Sequence, residues 1–101
     1  MKTTQYFANY FKTIYQNLES IDSARLEQAS SMVWSTHQSG KKVIVVGNGG
    51  SAAMASHVAV DFTKAAGIRA INFNEADLIT CFANDYGYEN WVAQALEAYA
   101  D

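Results

Sequence analysis

Hydrophobic positions along the chain change period twice, and each change marks a different kind of element. Tyr6, Phe7, Tyr10, Phe11, Ile14, Tyr15 and Leu18 recur at spacings of one, three and four, which on a helix forms one wide aromatic stripe. Such a stripe predicts packing against a neighbouring helix or subunit rather than a cage for an aromatic ligand. A second helix is predicted over about 23–38, with Asp22 as its N-cap, Ile21 and Leu26 placed as a hydrophobic staple, and Gly40 just past its end. His37 falls in its last turn, where a cation interacts well with the helix dipole.

The period then collapses into a continuous apolar run, Val43 to Val46, stopped by Gly47. This is the pattern of a strand buried on both faces, typical of parallel sheets flanked by helices. Ser51 is placed to cap a third helix over roughly 52–66 that ends at Gly67. "IRAINF" reads as a second strand and "NEAD" as its exit loop. A short helix near Ala76–Phe82, the loop "ANDYGYEN" and a last helix from about Glu89 to Tyr99 follow. There is no repeat, no linker, no low-complexity tract and no proline. The order predicts an α/β fold with an open, doubly wound parallel sheet, in one domain over residues 1–101. Residues 1–40 form its helical segment and 41–101 its β-α-β-α-α part. A parallel sheet of two strands has two raw edges and little core. The expectation is therefore that another chain completes the sheet, or that these residues are the N-terminal part of a longer protein.

Composition narrows the function classes. With 101 residues, 50% of them hydrophobic and 17% charged, the chain has the makeup of one ordinary globular domain. A formal charge of −3 supplies no basic surface for tracking nucleic acid, although a local site for a small phosphorylated molecule remains open. The single cysteine, Cys81, fits a reducing compartment and is expected to be a small buried hydrophobe. No stretch approaches the roughly 20 consecutive apolar residues of a membrane span, and the first residues lack the apolar core of an export signal. A cytoplasmic protein with no membrane partner is the expectation.

Chemistry concentrates in "GNGGSAAMASHVAVD", residues 47–61. A glycine-rich turn between a strand and a helix start is an anion site, because free backbone N–H groups approach closely and the helix end carries partial positive charge. The turn lacks the GK[ST] ending of a nucleoside-triphosphate loop. It matches G-x-G-x-x-A through Gly47, Gly49 and Ala52, the weak form of a dinucleotide fingerprint. The acidic residue such a site needs at the second strand's tip is missing, Glu75 lying beyond it. His57 and Asp61, four apart, share a helix face; the spacing suits two ligands of one metal ion, an acid/base pair, or an ordinary surface pair. Asn84 and Asp85 add short polar side chains that can bond sugar hydroxyls or simply form a turn.

Together, "GNGGSAAMASHVAVDFTK" and "ITCFANDYGYEN" resemble the SIS (sugar isomerase) domain, and within it the phosphoheptose isomerase group. The resemblance covers nearly the whole chain. It implies interconversion of sedoheptulose 7-phosphate and D-glycero-D-manno-heptose 7-phosphate, in precursor supply for surface polysaccharide, by a homotetramer whose N-terminal helices form a bundle. It also implies that Asn48, Gly49, Gly50 and Ser51 contact substrate, with Ser51 on the phosphate, and that Asn84 and Asp85 bind sugar hydroxyls. His57 would be a zinc ligand, and Asp61 both zinc ligand and catalytic acid/base. The implied cofactor is one zinc ion, with no nucleotide. Two departures stand out: Asp61 occupies the place of a glutamate, one methylene longer, and the later phosphate loop, Gln and His of the group have no counterpart here. The expectation is little or no isomerase activity from these 101 residues alone. A rival reading is a non-catalytic SIS protein that senses sugar phosphates or binds a replication initiator.

Overall fold

The computed structural model describes residues 2–101, in two compact units, one running to Ser31 and the other from Met32 to Asp101. The first contains α1 (Thr3–Glu19) and the start of α2 (Ser23–Gln38). No residue of α1 is buried: Tyr6, Phe7, Tyr10, Phe11, Tyr15 and Leu18 stand exposed along its apolar stripe. Tyr6 stacks on Tyr10 and Phe7 on Phe11, the pairs that helical spacing brings together. Asp22 caps α2 as expected, its Oδ1 accepting from the Ala24 N–H at 2.9 Å. The expected staple residues Ile21 and Leu26 both remain largely exposed.

In the second unit, β1 (Val43–Ile44) pairs in parallel with β2 (Ala70–Ile71), with Val43 opposite Ala70 and Ile44 opposite Ile71. Both are shorter than the apolar runs that announce them, and Val43 to Val46 are half-buried rather than buried on both faces. A two-stranded sheet leaves each strand one free edge, and along the shared edge the ladder runs from the Val43 N–H on the Arg69 carbonyl at 2.9 Å to the Val45 N–H on the Ile71 carbonyl at 3.0 Å.

α3 spans Gly50–Lys64 and buries Ala55 and Ala59. It begins two residues earlier than the sequence suggests, with Gly49 at the cap and no side-chain cap bond, so Ser51 lies inside the helix and is not its N-cap. Past the helix end, Gly67 adopts φ +66°, the left-handed turn that glycine permits without steric cost.

α4 runs over Ala76–Tyr86, one turn longer than expected. The Glu75 carboxylate accepts from the Leu78 N–H at 2.9 Å and starts it, and Gly87, at φ +89°, stops it. Asn84 and Asp85 are therefore helical, a correction to the loop expected there. A short 3-10 turn (Tyr88–Asn90) leads into α5 (Trp91–Tyr99). The core gathers Phe73, Trp91 and Ala95, with Ile44, Val46, Ile71, Leu78, Phe82 and Val92 packed against them. At the start of the sheet, Lys42 and Arg69 both bond the Asp101 carboxylate, at 2.9 and 3.0 Å. No described helix is long and apolar enough to cross a membrane.

Candidate functional site

The strand-to-helix turn is shaped by two glycines with different duties. A Cβ on Gly47 would lie 2.5 Å from the main-chain carbon and oxygen of Ser51, so only glycine lets the end of the β1 run pass this close to the start of α3. Gly49 has φ +55° and ψ −122°, the first central position of a type II′ turn, and the Ser51 N–H closes that turn onto the Asn48 carbonyl at 3.0 Å. The Ala52 and Ala53 N–H groups turn back onto the Gly49 carbonyl. Those of Gly49 and Gly50 have no acceptor among the described residues and, with the exposed Ser51, face solvent at the positive end of the helix. The turn thus presents free donors suited to an anionic group.

Tyr88, forty residues on, reaches this turn: its hydroxyl donates to Asn48 Oδ1 at 2.8 Å. Asn74 supports it from below, where Nδ2 donates to the Ala52 carbonyl at 2.6 Å and to Ser56 Oγ at 2.8 Å. The Asn74 N–H in turn donates to Asn72 Oδ1 at 2.9 Å, which bends the β2 exit toward α3. Sequence reasoning singled out neither Tyr88 nor Asn74. The Asn-x-Asn spacing after β2 carries a local signal for the Asx turn; nothing local marks the reach of Tyr88.

His57 and Asp61 do come together, Nε2 to Oδ1 at 3.5 Å, with 78% and 63% of their side chains exposed. They lie on the face of α3 turned away from Ala55 and Ala59, and no described hydrogen bond links them to the glycine turn. Two ligands held tetrahedrally at roughly 2.0–2.2 Å from zinc stand about 3.4 Å apart, so this pair fits two corners of such a site. Among the described residues no group of three or more His, Cys, Asp or Glu gathers around a point.

Asn84 Nδ2 donates to Asp85 Oδ1 at 3.1 Å on the exposed face of α4, and neither bonds the turn. Asp85 also faces Cys81, whose Sγ lies 3.6 Å from Oδ2. Cys81 is exposed, which corrects the expectation of burial: α4 turns its core side, Leu78, Ile79 and Phe82, inward instead. The Asp85 carboxylate, by its charge and then its hydrogen bond, pushes the Cys81 thiol pKa up from its ordinary value.

The SIS domain family model matches residues 5–99. A phosphoheptose isomerase of Helicobacter pylori is 34% identical over 98 residues, covering 91% of this chain and 50% of that protein. One from Fusobacterium nucleatum is 34% identical over 86 residues, 80% of this chain and 44% of that protein. Phosphoheptose isomerase 2 of Campylobacter jejuni is 37% identical over 79 residues, 72% and 39% respectively. The chain spans about half the length of the curated relatives it matches. No solved structure gives a significant match.

Proposed function

This chain belongs to the SIS domain family, and from that premise we propose that it carries the phosphosugar-binding part of an aldose–ketose isomerase acting on sedoheptulose 7-phosphate. The observation that carries the reading is the glycine turn: a type II′ corner with free N–H groups at a helix start, in a chain whose relatives bear the name phosphoheptose isomerase. Asn48, Gly49, Gly50 and Ser51 hold the phosphorylated sugar, and Asn84 and Asp85 meet its hydroxyls. His57 and Asp61 hold a zinc ion, whose contribution when bound is to polarise the sugar carbonyl. Asp61 moves the proton between adjacent carbons as the acid/base.

The exposure of His57 and Asp61 is consistent with a site closed by groups outside the described residues. The α1 stripe would serve a homotetramer, and the product would feed surface polysaccharide in the cytoplasm. A second reading, a sugar-phosphate sensor or replication-initiator-binding protein without catalysis, is favoured by Asp61 itself. Its carboxylate reaches one carbon less far than the glutamate the isomerases carry, and a misplacement of about 1 Å can cost on the order of 100-fold in rate.

Thermal unfolding with sedoheptulose 7-phosphate, in zinc and in EDTA, tests both, since a ligand that binds only the folded state raises the midpoint by mass action. A rise that needs zinc supports the isomerase reading. A rise that persists in EDTA favours the sensor. A folded sample with no rise in either condition overturns phosphosugar binding by this chain.

A further inference from the structure

We infer that Tyr88 is a positioning residue of the glycine-turn site, holding the Asn48 side chain so that its amide N–H groups face the ligand. The inference rests on the phosphosugar reading above and adds a residue to it. The Tyr88 hydroxyl donates to Asn48 Oδ1 at 2.8 Å, which occupies the amide's acceptor. Asn48 Nδ2 then has no partner among the described residues, beside the unpaired N–H groups of Gly49 and Gly50. Three donors are thereby gathered on one corner, while the carbonyl oxygen that would repel an anion is turned onto the phenol.

Tyr88 can hold this place because its own corner is fixed. Gly87 supplies φ +89°, a conformation that any side chain would strain. The Asn90 side chain donates to the Tyr86 carbonyl at 2.8 Å and its N–H to the Gly87 carbonyl at 3.0 Å. Trp91, the residue after Asn90, is 2% exposed and anchors the corner in the core. Asn84 and Asp85 bond each other on α4, and the bond from the α4–α5 corner to the turn is made by Tyr88.

The test is an NMR titration of the chain with sedoheptulose 7-phosphate. It follows the backbone amides of Gly49, Gly50 and Ser51 and the Asn48 side-chain amide in wild type, Tyr88→Phe, Asn48→Ala and the double variant. Tyr88→Phe removes only an exposed hydroxyl, so the fold should hold, and the melting midpoint checks that it does. The expected result is a displaced Asn48 side-chain resonance in free Tyr88→Phe, and binding weakened on the order of fivefold, the weight of about one net hydrogen bond. The double variant should bind no more weakly than Asn48→Ala alone. Wild-type affinity in Tyr88→Phe, or losses that add in the double variant, would overturn the positioning role while leaving the phosphosugar reading intact. Wild-type amides that do not respond to ligand would overturn both.

Discussion

The side-chain amide of Asn74 lies 2.6 Å from the Ala52 carbonyl, so the exit of β2 and the first turn of α3 are pinned to one another from opposite ends of a crossover. The same amide reaches Ser56 Oγ at 2.8 Å. Replacing Asn74 with Ala removes both donors to partly buried acceptors, and a loss of about 1–3 kcal/mol follows. Urea unfolding should show a lower midpoint with an unchanged slope. An unchanged midpoint would mean that the clamp contributes nothing to stability.

Gly47 and Gly50 should respond in opposite ways to the same substitution. Gly47→Ala sets a methyl 2.5 Å from the Ser51 backbone, which cannot yield without moving the start of α3, and a cost of about 1–3 kcal/mol is expected. Gly50 is helical with open space around its Cβ position, so Gly50→Ala should be neutral or stabilising by up to about 1 kcal/mol. Thermal unfolding of the two variants side by side checks the contrast, and equal destabilisation would contradict the turn geometry.

Cys81 should alkylate slowly despite its exposure. Because Asp85 raises the thiol pKa, less thiolate is present at any given pH than for an unperturbed cysteine, and thiolate is the nucleophile. Asp85→Asn lowers that pKa toward its ordinary value and should speed reaction with iodoacetamide, most visibly below the thiol pKa. The two rates should converge at high pH, where both thiols are ionised. Equal rates at neutral pH would show that the carboxylate does not act on the sulfur.

The α1 stripe should drive self-association. Seven apolar side chains, five of them aromatic, stand at least 40% exposed along one helix, a larger apolar surface than an isolated helix keeps in water without a partner. Light scattering on a sizing column should give a mass above that of one chain, and Tyr10→Ser combined with Phe11→Ser should lower it. A well-folded monomer for the wild type would refute this.

Much of the local structure was legible in the residues. Asp22 and Gly40 bound α2 where capping chemistry places them, and the span 23–38 agrees with the structure. The β-α-β order and the glycine turn follow from the Val43 to Val46 run and the spacing behind it. Misreadings arose where a distant or unobtrusive partner decided. Asn84 and Asp85 look like a turn, yet with Glu75 capping α4 and no glycine before Gly87 the helix runs through them. Cys81 looks apolar by composition, but the core side of α4 is taken by Leu78, Ile79 and Phe82.

The sequence by itself determined the order of the elements and the place of the glycine turn between β1 and α3, because helix period, capping and positive-φ glycines act over a few residues. Only the tertiary structure decided which side chains meet. Tyr88 and Asn48 are forty residues apart and Asn74 and Ala52 twenty-two, and such pairings depend on how α3, α4 and α5 pack around Phe73 and Trp91. Tertiary packing also decided that His57 and Asp61, adjacent on their helix, look outward, because Ala55 and Ala59 take the side of α3 that is buried.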